Sequence, residues 1–134
     1  MISRHLYEEI VRAALREDAP FGDPFGEAFQ GHASGLFLAG GDGVLCGGPV
    51  AAEVFRQVDP SVSVSFSPDG CRVARGDGVG KASGPAASLL RAERVALNFL
   101  QRLSGVATAT SLYASRIAAH GTKLLDTKIG RAHV

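Results

Sequence analysis

Apolar positions recur at helical spacing near the amino terminus: Leu6, Ile10, Val11, Ala14 and Leu15 predict an amphipathic helix over about residues 3 to 17, with Glu8 and Arg12 an exposed pair one turn apart. Asp18 to Gly26, with two prolines and two glycines in nine residues, reads as a loop. Between 32 and 84 the pattern changes to short runs separated by glycine, predicting strands over 35–39, 43–46, 61–66, 71–73 and 79–82. Ser61 to Phe66 alternates most clearly, sending Val62, Val64 and Phe66 to one face and the serines to the other. Pro68-Asp69-Gly70 supplies the next turn. Pro49 opens a helix with an apolar face of Val50, Val54, Phe55 and Val58, which Asp59-Pro60 ends. Pro85 starts a long helix predicted to run to about Leu103 and to break at Ser104-Gly105; a second follows over about 106–119 and stops at Gly121. Lys123-Leu124-Leu125-Asp126-Thr127 reads as a buried strand with polar residues at its carboxyl end. The fold class is α+β: an open antiparallel sheet sandwich with helices over one side.

Polar residues on the long helix carry the candidate chemistry. Glu93, Leu97, Leu100 and Ser104 share one stripe, and Arg94, Asn98, Gln101 and Arg102 the neighbouring one. Two guanidiniums and two amides on one side of a rod suit a carboxylate or phosphate, although a solvated face satisfies the periodicity equally well. Charge distribution points the same way. Residues 1 to 90 carry 7 basic and 11 acidic side chains, and residues 91 to 134 carry 7 and 2, so the carboxyl-terminal third is the anion-attracting part. A net charge of +1 argues against a nucleic-acid coat or a polybasic membrane patch. With no membrane-length apolar run and no signal segment, the reading is cytoplasmic. Cys46 and Cys71 read as reduced structural thiols, and His5, His32 and His120 are too dispersed to hold a metal. Gly76-Asp77-Gly78-Val79-Gly80 lacks the lysine and hydroxyl residue of a phosphate loop and reads as a turn.

Residue order adds a resemblance. Glu93-Arg94-Val95-Ala96-Leu97-Asn98-Phe99-Leu100-Gln101-Arg102-Leu103-Ser104-Gly105 closely resembles a signature of quinolinate phosphoribosyltransferase, the carboxylating nicotinate-nucleotide pyrophosphorylase. Arg16-Glu17-Asp18, Asp42-Gly43-Val44-Leu45-Cys46-Gly47 and Leu125-Asp126-Thr127 fall in the family's order around it, while Pro24-Phe25-Gly26 departs from the family's loop. The resemblance implies an amino-terminal sandwich domain over 1–110, the truncated start of an α/β barrel over 111–127, and a tail at 128–134 that departs from the family pattern. That tail looks like a translated sequencing adapter, so the natural protein is expected to continue beyond it. The implied reaction transfers phosphoribose from phosphoribosyl pyrophosphate to quinolinate with decarboxylation, giving nicotinate mononucleotide, pyrophosphate and carbon dioxide in NAD biosynthesis. Mg²⁺ is the implied cofactor, with its ligands in the missing barrel. A homodimer or higher assembly with sites shared between subunits is implied as well.

Arg94 matches the family arginine that reaches into the neighbouring subunit's barrel and contacts substrate, which makes it the candidate catalytic residue. Thr127 and Lys128 match substrate-binding positions. Glu93 either orients Arg94 or forms a simple helix ion pair, and Asp126 fixes the loop at the strand end. Two alternatives stay open. One is a molybdenum-transport-associated branch with the same fold. The other is a lipoyl or biotinyl carrier module with Lys81 on an exposed hairpin.

Overall fold

A computed structural model describes residues 3–22, 26 and 28–125. Its elements in order are α1 (His5–Asp18), β1 (His32–Leu38), β2 (Gly43–Val44), α2 (Gly48–Val58), β3 (Ser63–Phe66), β4 (Arg72–Val73), β5 (Gly78–Pro85) and α3 (Ala86–Ala118). Strands β1, β5 and β3 form an antiparallel sheet with β5 in the centre, and β2 pairs with β4 in a separate antiparallel ribbon. Helices α2 and α3 lie against each other over one face of the larger sheet, as expected of an open α+β sandwich. No described helix is long and apolar enough to cross a membrane.

The expected alternation holds in β3, where Val64 and Phe66 turn toward the helices and Ser63 and Ser65 away from them. In β5 a bulge opposite Phe37 and Leu38 inserts one residue, so Val79 joins Ala82 on the buried side. Phe37 packs edge-on against Phe55 of α2 at 6.0 Å between ring centres and against Phe66 at 4.9 Å. Small residues let α2 and α3 approach closely: Ala51, Ala92 and Ala96 are all fully buried. Pro49 lies in the first turn of α2, as the sequence predicts, and Pro68-Asp69-Gly70 makes its turn with Gly70 at φ +91°. That turn has a second use, because Asp69 Oδ1 accepts from the amides of Gly47 and Gly48 at 3.0 and 2.9 Å and so caps α2 from a distance in sequence. Residues Ala74 to Asp77 close the turn expected at the Gly76 run.

Three expectations are corrected. The break at Ser104-Gly105 does not occur, and α3 runs unbroken over 33 residues. A glycine inside a helix costs only about 1 kcal/mol relative to alanine, and contacts on either side of Gly105 outweigh that. The Cys46 amide donates to Ser104 Oγ at 2.9 Å, Ser104 Oγ donates back to the Cys46 carbonyl at 3.1 Å, and the Val44 amide donates to Thr108 Oγ1 at 2.9 Å. Two hydroxyls one turn apart thus pair with the end of β2 and the chain just after it, as a neighbouring strand would. The approach is close enough that a Cβ on Gly43 would lie 2.7 Å from Thr108 Oγ1.

The strand expected over 123–127 has no counterpart in residues 123–125, which form no regular structure and leave Leu125 69% exposed. A barrel strand needs neighbours to pair with, and no described strand lies beside it. Asp126 and Thr127 lie outside the described residues. Finally, only part of the α1 apolar stripe is used: Val11 is fully buried and Tyr7, Ala14 and Leu15 pack on the core, but Leu6 is 69% and Ile10 58% exposed.

Helix α1 is held to α2 by a buried carboxylate. Glu53, almost fully buried, accepts from Arg56 Nε and Nη2 at 2.8 and 2.6 Å and from Gln57 Nε2 at 2.9 Å, and pairs with Arg4 at 2.9 Å. Gln57 Nε2 also donates to the Glu8 carbonyl at 3.0 Å. Hydrogen bonds from Arg56, helped by Gln57 and by the charges of Arg56 and Arg4, outweigh burial and hold the Glu53 carboxyl at about 2 against an ordinary 4.5. Because the folded value is depressed, its stabilisation is complete above the unfolded value and is lost as pH falls from about 4.5 toward 2.

Three outcomes follow. Glu53→Gln is expected to lower unfolding free energy at pH 7 by about 3 kcal/mol, with the gap to wild type closing by about pH 2; urea unfolding followed by circular dichroism across that range checks it. Gly105 is exposed and a Cβ there would meet nothing within 4 Å, so Gly105→Ala is expected to raise stability by roughly 0.5–1 kcal/mol. Ser104→Ala, which strips the Cys46 amide of its acceptor, is expected to lower it by about 1–2 kcal/mol. Destabilisation by Gly105→Ala would contradict an unbroken α3.

Candidate functional site

The exposed side of α3 carries the residues singled out by sequence. Ala92, Val95, Ala96 and Leu100 bury one face, which obliges Glu93, Arg94, Asn98, Gln101 and Arg102 to point outward. Arg94 is 72% exposed, and its Nε lies 3.7 Å from Asp18 Oδ1 at the end of α1. Asp18, Ala19, Leu90, Arg91, Glu93, Arg94 and Leu97 line a pocket at this junction. From sequence, Glu93 either orients Arg94 or forms a simple helix ion pair, and Arg94 needs an acidic partner in the first case. The structure gives that place to Asp18, and Glu93 has no hydrogen bond or ion pair among the described residues.

This arrangement is suited to exchange. At 3.7 Å and largely in water, the Arg94–Asp18 pair is a weak one. The guanidinium keeps a planar fork of donors for an incoming carboxylate or phosphate, and the helix that carries it is fixed along its buried side. Helix α1 supplies Asp18 because the Glu53 cluster anchors its other end. Asn98, Gln101 and Arg102 continue the polar side, although Gln101 also borders a separate groove formed with the 39–45 loop. That groove is lined mainly by apolar groups, and the Asp42 carboxylate beside it accepts from the Arg75 amide at 2.9 Å.

Of the other expected site residues, Asp126, Thr127 and Lys128 lie outside the described residues. Among the described residues no three His, Cys, Asp or Glu side chains converge on a point that could hold a metal. The acidic residues expected to hold Mg²⁺ belong to the barrel, which the described residues do not include. Cys46 and Cys71 are free thiols. Burial, then the charge of Asp69, pushes the Cys46 thiol up from its ordinary value, away from the thiolate a nucleophile needs. Lys81 sits within β5, opposite Leu36 on one side and Ser65 on the other. A carrier lysine belongs on a hairpin tip, and a central-strand position overturns the carrier alternative.

The fold is a small α+β sandwich that presents a helix-borne arginine beside a pocket between α1 and α3. The family profile described as "Quinolinate phosphoribosyl transferase, N-terminal domain" matches residues 27–104. This chain belongs to the quinolinate phosphoribosyltransferase family. Quinolinate phosphoribosyltransferase [decarboxylating] 1b of Nicotiana tabacum is 40% identical over 128 residues, which cover 89% of this chain and 35% of that protein. The probable carboxylating nicotinate-nucleotide pyrophosphorylase of Synechocystis is 37% identical over 117 residues, covering 85% and 40%. Among solved structures, the nicotinate-nucleotide pyrophosphorylase of Francisella tularensis superposes with a TM-score of 0.89 at 32% identity over 96% of this chain and 46% of its own. NadC of Streptococcus pyogenes gives 0.88 at 36% identity over 95% and 48%. The chain spans about a third of the length of its plant relatives and just under half of the solved chains. These relatives leave the molybdenum-transport alternative without support.

Asp18→Asn is expected to change stability by less than about 0.5 kcal/mol, as removal of an exposed pair should. Thermal unfolding of the variant checks this, and a large loss would mean that the pair supports the α1–α3 junction.

Proposed function

We propose that this chain is the amino-terminal part of an enzyme that transfers phosphoribose from phosphoribosyl pyrophosphate to quinolinate, releasing pyrophosphate and carbon dioxide and forming nicotinate mononucleotide. Family membership supports the reaction, and the exposed, weakly paired Arg94 is the observation that supports this domain's part in it. Displacement of pyrophosphate from the anomeric carbon builds positive charge on the sugar and negative charge on the leaving group. Such a reaction is accelerated by preorganised cations, and binding a dicarboxylate calls for planar bidentate donors. Arg94 is the binding and catalytic residue in this reading, with Asp18 holding its guanidinium until substrate replaces it. Glu93 assists from the pocket lining.

The reading divides the chain at about 110 into the sandwich and the approach to a barrel, although α3 runs through that point without interruption. Thr127 and Lys128 then contact substrate, Asp126 fixes their loop, and acidic residues of the barrel would hold Mg²⁺ on the pyrophosphate. A site completed between subunits requires a homodimer or a higher assembly. A cytoplasmic location suits a chain with two free thiols, although relatives carry chloroplastic and mitochondrial names.

The test joins residues 1–125 to the carboxyl-terminal part of the Streptococcus pyogenes relative and assays quinolinate turnover. The fusion is expected to be active. Arg94→Lys keeps the charge but loses the fork, and is expected to cost about 2–5 kcal/mol in kcat/KM. Mixing this variant with a barrel-site variant should recover activity in hybrid dimers. Full activity of Arg94→Lys, or no recovery in verified hybrids, would reject the shared-site role.

A further inference from the structure

A second arginine cluster borders the Arg94 pocket and shares Arg91 with it, while its other three arginines take no part in the function proposed above. Arg12 and Arg16 stand one turn apart on α1, Arg56 comes from the last turn of α2, and Arg91 from the second turn of α3. The four line one cleft of about 450 Å³, with Leu15 and Pro60 on its apolar wall. Three separate helices bring guanidiniums to the same concavity. Like charges at a spacing of four on one helix disfavour folding slightly, and packing a third and fourth cation beside them adds to that cost.

The neighbouring carboxylates neutralise only half of the cluster, Arg12 and Arg56. Glu8 lies 4.0 Å from Arg56 as well as 3.5 Å from Arg12, and Glu53 is occupied by Arg56, Arg4 and Gln57. Arg56 spends Nε and Nη2 on Glu53, which leaves the N–H groups of Nη1 free. Arg16 and Arg91 make no ion pair or hydrogen bond among the described residues. What fits a concavity with two uncommitted guanidiniums and two partly committed ones is a compact polyanion with several acceptor oxygens. A diphosphate offers two linked centres to cations spread over three helices, where a single phosphate reaches fewer of them.

We propose that this cleft is an accessory binding site for the diphosphate group of a soluble phosphorylated metabolite, adjoining the Arg94 pocket, with which it shares Ala19 and Arg91, but not including Arg94. The apolar wall of Leu15 and Pro60 seats whatever the diphosphate carries. Occupancy cross-links α1, α2 and α3, so the ligand stabilises the junction that places Asp18 beside Arg94.

Calorimetric titration of the 134-residue chain with inorganic pyrophosphate and with inorganic phosphate tests the proposal, using Arg16→Gln/Arg91→Gln and Arg94→Gln as variants. Neither Arg16 nor Arg91 carries a contact that folding depends on, and circular dichroism confirms the fold of each variant. Expected is one-to-one saturation by pyrophosphate with Kd below about 1 mM at low salt, at least tenfold tighter than phosphate. The Arg16→Gln/Arg91→Gln chain should lose at least tenfold in affinity, and Arg94→Gln should lose none. Amide NMR shifts should concentrate at Arg12, Arg16, Ala19 and Arg91. Absence of saturation, equal affinity in the double variant, loss of affinity on Arg94→Gln, or binding to anionic phosphatidylglycerol vesicles without binding to pyrophosphate would each overturn the proposal. None of these results depends on transferase activity, so failure here is distinguishable from failure of the function proposed above.

Discussion

Everything in this domain is referred to α3, and a pair of hydroxyls ties its middle to the chain around β2. Ser104 and Thr108 take the amides of Cys46 and Val44 where a helix surface would ordinarily leave them to water. A backbone segment is thereby paired along one edge by side chains, and the helix is held on both sides of its own weakest residue, Gly105. Gly43 and Gly47 make the contact possible. A Cβ at either would collide with Thr108 or Leu103, and Gly47 also adopts a left-handed φ of +103° as it turns into α2. A ribbon of four residues in two short strands, β2 and β4, is fixed by being docked on the helix rather than by its own pairing.

The Glu53 cluster has a corresponding role at the other end. One carboxylate satisfies Arg4, Arg56 and Gln57, and Gln57 in turn holds the Glu8 carbonyl. Helix α1 buries little besides Val11, so these polar contacts fix its position where apolar area cannot. Since Asp18 ends α1 and faces Arg94, a buried cluster remote from the pocket decides where the pocket's acidic wall stands.

What was legible in sequence was local. Pro49, Pro85 and the Pro68-Asp69-Gly70 turn fix φ or supply it, and they marked element boundaries correctly. The Ser/Val alternation of β3 gave its buried face, and the order of residues in α3 gave the family. The misread features depend on residues far apart in the chain. Ser104 stays helical because of Cys46, α2 is capped by Asp69, and Arg94 faces Asp18 rather than its neighbour Glu93, which a helix turns in a different direction. Leu6 and Ile10 match the helical period as well as Val11 does, and only the position of α2 decides which of them is covered. The four-arginine cleft was hidden for the same reason. Counted along the chain, cations concentrate after residue 90; counted in space, Arg12, Arg16 and Arg56 from the acidic part join Arg91.

An unbroken α3 also sets a length. At about 1.5 Å per residue its 33 residues extend roughly 50 Å. Arg94 and the exposed Tyr113 near its far end are separated by about 28 Å along the axis and about 100° around it. A rod does not bend to suit what rests on it. Whatever surface grips the Tyr113 end therefore inherits a fixed reach and a fixed heading to the guanidinium, and inserting a single residue after Thr108 would swing the Tyr113 end by a further 100° or so relative to Arg94 while leaving the docking of Ser104 and Thr108 in place.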